Sequence, residues 1–373
     1  MDKKLIWMIK SWSISNTRKK LAELSKRKDL FDESTIDFAG EDYKEARKNY
    51  DIAVKNGYTI VTYIDKLYPE KLKNISTPPA VLYVNGNAKI LGETVFAGVV
   101  GARKSDMYGT RTAENLALEI GQTGAGIISG GARGIDSAAH RGALRAKAPT
   151  VAVLGCGLDV CYPPENKKLF KNIVESGGAI ITEFPFGMEA HARNFPKRNR
   201  IIAALSTALV VVRAAHRSGS LITASRALDM GVSVFALPGN IDDNLSAGTN
   251  ALIRDGANIL LSPIDVIDEL IDLEPDFFVR EREKEIYEVE EKTVIGEKPK
   301  KVTNLSDYEN EIVSIIESGA QLQSLIEEKI SFEATRLTAL LGMMEIKGII
   351  KKGPDKKYTV TGGDANGKLS RNS

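Results

Sequence analysis

Val95-Phe96-Ala97-Gly98-Val99-Val100 runs without a polar side chain into the turn Gly101-Ala102-Arg103-Lys104-Ser105. The same grammar, an apolar run closed by small residues and followed by a helical stretch, recurs as far as Leu260. Its further members are Gly126 to Ser129, Thr150 to Leu154, Ala179 to Ile181, Ala208 to Val212, Val232 to Ala236 and Ala257 to Leu260. Strands of continuous Val, Ile and Ala suit a sheet covered on both faces, and their alternation with helices implies parallel crossovers. The expected fold is α/β, a doubly wound, Rossmann-like parallel sheet over residues 76–273.

On the amino-terminal side, Leu5, Ile6 and Ile9, and again Ala46, Tyr50, Ala53 and Val54, recur at helical spacing, which predicts a small helical domain over residues 1–75. Prolines at 69, 78 and 79 forbid helix there, and the following Ala80-Val81-Leu82-Tyr83 suits a strand entering the central unit. On the carboxyl-terminal side, residues 274–303 are densely charged and predict a linker. Residues 304–361 read as three short helices and a β-hairpin, the pattern of a winged helix-turn-helix. Its recognition segment, Glu333 to Ile346, holds only Arg336 as a base-reading cation, which favours protein contact over DNA readout. A polar tail, residues 362–373, is expected to be disordered.

The chain has 373 residues, room for roughly two or three domains. With 43% hydrophobic and 27% charged residues it excludes fibrous and wholly disordered readings. Lys+Arg 51 against Asp+Glu 49 leaves a net charge of +2, so an acidic partner must be met by a local patch. No run of about eighteen apolar residues and no signal-peptide core is present, so no membrane partner is expected and the cytoplasm is the expected location. Cys156 and Cys161 read as incidental thiols, and three scattered histidines suggest no metal site.

In an open parallel sheet the ligand crevice lies beyond the carboxyl ends of the strands, so the turns carry the chemistry. The first holds Gly101 and Arg103. Another runs Ser129-Gly130-Gly131-Ala132-Arg133-Gly134-Ile135-Asp136, and a later one runs Arg217-Ser218-Gly219-Ser220-Leu221-Ile222-Thr223. Small residues allow close backbone approach, and helix starts with free N–H groups suit anions. Phe195-Pro196-Lys197-Arg198-Asn199-Arg200 adds a basic cluster before the helix of Ile201 and Ile202. One mononucleotide needs one such turn. Several turns with separate arginines describe a groove that follows a sugar-phosphate backbone, with Phe195 as a stacking face, so a single-stranded polynucleotide fits best.

Blander readings stand beside these. Glycine turns also serve merely to turn, and Phe195 also suits a core. Asp136 and Asp159 read as cap or turn residues rather than catalytic acids. Glu183 either orients an arginine or shapes its turn. Cations at a helix start oppose the helix dipole, so Arg198 and Arg200 need another reason to be there. The third glycine of a dinucleotide fingerprint is missing after Gly155-x-Gly157, and no P-loop, nucleophile elbow or catalytic constellation is found. No cofactor and no enzymatic activity are expected.

In order, Tyr68-Pro69, Leu72, Pro78-Pro79, Leu82 and Gly86 are followed by Gly101-Ala102-Arg103, Tyr108-Gly109, Ser129 to Asp136 and Ala139 to Leu144. Ala152 to Asp159, Tyr162-Pro163, Glu165-Asn166, Glu183-x-Pro185, Phe195 to Ile202, Arg217 to Ala224, Phe235 to Gly239 and Gly248-Thr249-Asn250 complete the series. This ordered set, covering roughly half the chain, resembles the bacterial DNA-processing protein A family, also called Smf. The resemblance implies a non-enzymatic, homodimeric single-stranded DNA-binding protein of natural transformation and homologous recombination. Such a protein protects incoming DNA and loads the RecA recombinase. It further implies DNA contacts from Arg103, Phe195, Lys197, Arg198, Asn199, Arg200, Ser218, Gly219 and Ser220. Two departures are visible: Pro164 stands where relatives often carry a basic residue, and Gly131 where leucine is common. The alternative is a nucleotide-processing enzyme of similar fold, such as a phosphoribohydrolase, but its Pro-Gly-Gly-x-Gly-Thr turn is not continued after Pro238-Gly239-Asn240. A winged-helix transcription regulator is the third reading, and it requires binding specific to duplex DNA.

Overall fold

The apolar runs form strands β1 (Thr59–Thr62), β2 (Val81–Gly86), β3 (Phe96–Val100), β4 (Gly126–Ser129), β5 (Thr150–Val153), β6 (Ala179–Thr182), β7 (Ala208–Val211), β8 (Ser233–Ala236) and β9 (Asn258–Ile259). The computed structural model describes residues 1–12, 17–281, 307–319, 321–331, 334–353 and 356–361. Most of the expected linker, and the whole of the expected tail, lie outside these residues. Among the described residues the strands make one nine-stranded sheet in the order β1-β2-β6-β5-β4-β3-β7-β8-β9. Neighbours from β6 to β9 pair in parallel, whereas β1 with β2 and β2 with β6 pair antiparallel. The fold is therefore α/β and Rossmann-like, with an antiparallel edge.

Every residue of β3, β4, β5, β6 and β7 is buried, which is why these strands read as unbroken apolar runs instead of alternating. After β3 the chain steps to one side through β4, β5 and β6, then returns to β7 on the other side of β3 and continues outward. Strand order thus reverses between β3 and β7, and the turns after both strands open onto one rim.

The helices ahead of this point are α1 (Lys3–Trp12), α2 (Arg18–Ser25), α3 (Glu41–Lys55), α4 (Glu70–Lys73) and α5 (Ile90–Glu93). The crossovers supply α6 (Met107–Gln122), α7 (Ile135–Arg145), α8 (Lys167–Glu175), α9 (Asn194–Leu205), α10 (Gly219–Asp229), α11 (Ala247–Arg254) and α12 (Pro263–Leu273).

Residues 1–75, expected as a small helical domain, contribute four of these helices and the edge strand β1 to one compact unit, Met1–Phe277. Leu5, Ile6, Met8 and Ile9 of α1 are buried in a cluster with Ala46 and Ala53 of α3 and with Tyr83 and Phe186. The ring of Trp7 stacks on Tyr63 at 6.0 Å, and its Nε1 donates to Ala80 O at 2.9 Å. Tyr68 Oη donates to Pro79 O at 2.8 Å, fixing the proline pair that introduces β2.

The second unit contains α13 (Asp307–Glu317), α14 (Gln323–Glu327) and α15 (Ala334–Ile346), followed by the antiparallel pair β10 (Ile350–Lys352) and β11 (Tyr358–Val360). Ile312, Ile316, Ile326, Leu337, Leu341, Met344 and Ile350 are among its buried apolar residues. Glu309, almost fully buried, is paired with Lys347 Nζ at 2.7 Å. The side chain of Arg336 lies outside the described residues.

Candidate nucleic-acid interface

The turns at the carboxyl ends of the strands are stitched to one another through their backbones. Ala102 N donates to Arg213 O at 2.7 Å, joining the turns after β3 and β7, and Ile135 N donates to Ala102 O at 3.3 Å, joining those after β3 and β4. Gly134 makes the second contact possible: its φ is +72°, and a Cβ there would lie 2.4 Å from Ala102 O and 2.7 Å from Arg103 O. Gly131, at φ +64°, adopts a left-handed conformation that a leucine would occupy only with strain. Its carbonyl is held by Asn166 Nδ2 at 2.9 Å.

Helix α9 locks this rim. The basic cluster was expected to precede the helix, but α9 begins at Asn194, with Pro196 in its first turn where no intrahelical N–H bond is lost. Arg198 therefore sits inside the helix, with its side chain directed inward and only 4% exposed. Its Nη1 donates to Gly130 O at 2.6 Å and to Val153 O, tying the ends of β4 and β5 together, and its Nε donates to Asn199 Oδ1 at 3.2 Å. Burial pulls the Arg198 guanidinium down to about 10, the charge of Asp136 opposing this and that of Arg103 adding to it. Burial in turn raises Asp136, countered first by the Arg198 charge. Asn199, also buried, reaches Gly219 O at the start of α10.

Phe195 occupies the middle of the rim. Its ring packs on the backbone of Gly155, where a Cβ would approach Cδ1 to 2.9 Å, and its centroid is 5.6 Å from that of Tyr162. The exposed guanidinium of Arg103 lies 4.4 Å from the Phe195 centroid and that of Arg198 lies 5.8 Å away. Arg133 belongs to the turn that Gly134 presses against Arg103, so Arg103, Arg133 and Arg198 stand on one rim rather than on opposite faces.

The expected site residues separate into two groups. Arg103, Lys197, Gly219 and Arg217 are exposed, and among the described residues none of these three cations has an ion-pair partner. Arg133 is exposed but paired with Glu165, whose hydrogen bond and charge raise its pKa. Ser218 caps α10, accepting from Ser220 N at 3.3 Å.

The other expected residues are buried or engaged within the protein itself. Arg200 forms a two-pronged pair with Glu183 at 2.5 and 2.6 Å and donates to Thr77 O at 2.7 Å and Lys197 O at 2.9 Å. Glu183 accordingly orients an arginine. Ser129 is fully buried, its Oγ donating to Val99 O at 2.6 Å. Arg198, Asn199, Ser220 and Thr223 are buried as well. Gly101 is packed, since a Cβ there would meet Ile135 at 2.7 Å. Gly130 contributes its carbonyl to Arg198.

Sequence reasoning missed Arg213, which sits where strand order reverses. It is buried, pairs with Asp106 and with Asp243 at 2.6 Å, and donates to Ser246 Oγ at 2.5 Å. Burial opposes its charge, but the Asp106 hydrogen bond and the two carboxylates outweigh burial and raise its pKa. An arginine directly after the apolar run Val210-Val211-Val212 was the available signal. Asp159 is a turn residue, its carboxylate accepting from Gly187 N at 2.9 Å. Cys156 and Cys161 are free thiols; burial pushes Cys156 up to about 11. Among the described residues no cluster of His, Cys, Asp and Glu is arranged to hold a metal, and no helix is long and apolar enough to cross a membrane.

Fold and rim define a class: a doubly wound Rossmann-like protein whose strand-end turns assemble exposed cations and an aromatic ring at the switch point. Residues 59–271 match the sequence profile of the family described as DNA recombination-mediator protein A, and the chain belongs to that family. It is 41% identical over 205 residues to Protein Smf of Escherichia coli strain K12, a match covering 55% of this chain and 54% of that protein. The chain thus spans about half the length of the first curated relatives it matches. Among solved structures it is similar to DNA processing protein A from Streptococcus pneumoniae, with TM-score 0.60 and 34% identity over 72% of this chain and 98% of the other. It is also similar to DNA processing protein A from Helicobacter pylori, whose structure is described as giving insight into a unique single-stranded DNA binding mode. There the TM-score is 0.52 and identity 30%, over 58% and 96% of the two chains.

Proposed function

We propose that this chain binds single-stranded DNA on the rim beyond β3, β4 and β7, as a DNA-processing protein of transformation and recombination. The observation that carries the reading is the unpaired Arg103 guanidinium, exposed 4.4 Å above the Phe195 ring on a rim that also presents Lys197 and Arg217. Guanidinium and ammonium groups hold backbone phosphates without regard to sequence, and an aromatic face accepts any base. The single-stranded DNA described for the Helicobacter pylori relative supports the reading. In this proposal Arg198, Arg200 and Arg213 hold the turns in place and do not meet phosphate themselves.

Further parts of the proposal follow from family membership. The chain acts without catalysing a reaction, works as a homodimer, shields single strands and delivers them to a RecA-type recombinase. Its second unit, with three helices and a hairpin, is read as a winged helix that contacts protein.

One titration of labelled single-stranded DNA, duplex DNA and a mononucleotide against the full chain tests the central claim. Single strands are expected to bind best. Arg103→Ala should weaken them whatever their sequence and flatten the slope of log K against log salt by about 0.7, one phosphate contact on a single strand. Tight mononucleotide binding with release of the base would point to a phosphoribohydrolase. A preference for duplex would point to a regulator, and an unchanged salt slope in the folded Arg103→Ala chain would sink the site.

A further inference from the structure

The β3 turn leads from Arg103 into a second feature that the rim site does not use. Ser105, Asp106 and Met107 form one end of an open cleft of about 590 Å³ that continues along α6 past Arg111 and Glu114 to Arg145 of α7. That volume is in the range of sites that hold a nucleotide-sized group. Arg111 is exposed and, among the described residues, has no ion-pair or hydrogen-bond partner. Its Cα lies about 6 Å along the helix axis from Met107, at 1.5 Å per residue.

The charge balance of the cleft is positive. Glu114 divides its oxygens between Arg145 Nη1 at 2.9 Å and Arg141 Nε at 3.4 Å, so one carboxylate faces two guanidiniums while Arg111 stands uncompensated. Asp106 also lines the cleft but is turned to Arg213, which it shares with Asp243, so the surplus positive charge lies at the Arg111, Arg141 and Arg145 end. Met107, at the lip, is 86% exposed and offers a polarisable apolar face beside the cations. Lys104, exposed and unpaired among the described residues, links this cleft to Arg103.

We propose that the cleft along α6 is a continuation of the single-stranded DNA track, in which backbone phosphates leaving Arg103 are met by Arg111 and then Arg145. This rests on the rim being a single-strand site. A cleft meant for a free mononucleotide would not need to open onto the rim at Ser105. A strand that leaves the rim past Ser105 enters this cleft, and the uncompensated guanidinium lies about one helical turn past the turn residues. Arg145 is pre-positioned by Glu114, and a phosphate approaching it competes with a half-exposed surface pair, which is weakly held.

The test compares short and long oligothymidylates, roughly 4 and roughly 16 nucleotides, the two ends of the site sizes seen in single-strand-binding folds. Fluorescence anisotropy is read over a range of salt with the full chain and its Arg103→Ala, Arg111→Ala, Arg111→Glu and Arg111→Lys variants. Arg103→Ala should weaken both lengths. Arg111→Ala should leave the short strand unchanged and flatten the salt slope for the long one by about 0.7. Arg111→Glu should weaken the long strand further, and Arg111→Lys should restore the slope. Arg111 lies on an exposed helix face, so unchanged thermal melts are expected throughout. Long-strand binding untouched by Arg111→Ala and Arg111→Glu overturns the extension and leaves the rim site standing. Failure of the unmodified chain to bind either length removes the rim reading, and the extension with it.

Discussion

Neutralising Glu183 asks whether Arg200 belongs to the scaffold or to the DNA. The two side chains are each 13% exposed and joined by two short hydrogen bonds, so Glu183→Gln leaves a guanidinium nearly buried without its counter-charge. Removing one partner of a buried pair costs about 3–5 kcal/mol. The carbonyls of Thr77 and Lys197 still accept from Arg200, which argues for the lower end, about 3 kcal/mol. At about 2–4 °C per kcal/mol for large domains, Tm should fall by about 6–12 °C. Arg200→Met should lower it similarly, and the double variant should lose less than the two single losses combined, because the two residues act as one unit. Thermal melts by circular dichroism give the stability arm, and salt titrations of single-stranded DNA the binding arm. In the folded Glu183→Gln chain the salt slope should not change. A Tm that stays put, together with tighter binding and a slope steeper by about 0.7, would mean that Glu183 had been restraining a phosphate ligand, and the scaffold assignment would fail.

Three other outcomes are expected. Gly134→Ala forces a Cβ against Ala102 O at 2.4 Å with φ at +72°, so it should cost about 1–3 kcal/mol and weaken DNA binding by displacing the Arg103 turn; a wild-type melt would contradict this. His140 is buried and unpartnered at Nε2, and burial pushes its pKa from 6.5 down to about 3. The unfolded chain therefore takes up a proton below pH 6.5 that the folded chain refuses, and stability should fall between pH 6.5 and 3 by up to about 1.4 kcal/mol per pH unit from this group. Asp136, raised by burial, works in the opposite sense, so the check is a urea-unfolding series across that window in which His140→Asn flattens the decline; an unaltered slope refutes it. Phe195→Leu keeps an apolar side chain on Gly155 but removes the aromatic face. It should cost about 1–3 kcal/mol of single-strand affinity with little change in salt slope, measured by the same titration.

The central strands were legible because burial on both faces leaves nothing polar to interrupt them, as in Phe96 to Val100. The edge strand β1 was not anticipated, since its four residues, Thr59-Ile60-Val61-Thr62, are too short to announce a strand next to helical neighbours. Residues 1–75 look helical because they mostly are, but nothing in their spacing shows that Trp7 docks on Ala80. At the rim, sequence located the cations without their directions. Arg198 and Arg200 read as a basic cluster ahead of the helix of Ile201 and Ile202; placed inside α9, they have strand carbonyls and Glu183 within reach. Arg103 was read correctly as part of a turn, yet its position over Phe195 depends on contacts between residues more than ninety positions apart.

The antiparallel pairing of β1 on β2 has a practical consequence for anyone dissecting the chain. A fragment starting at residue 76 would turn β2 into an open border of unanswered amides and carbonyls, an invitation to pair with a second molecule. It would also strip Trp7 from beneath Ala80 and begin one residue ahead of Thr77, whose carbonyl helps to steady Arg200. Aggregation or feeble DNA affinity in such a piece would report a broken margin rather than a missing binding surface. The shortest fair test is the intact stretch from Met1 to Phe277.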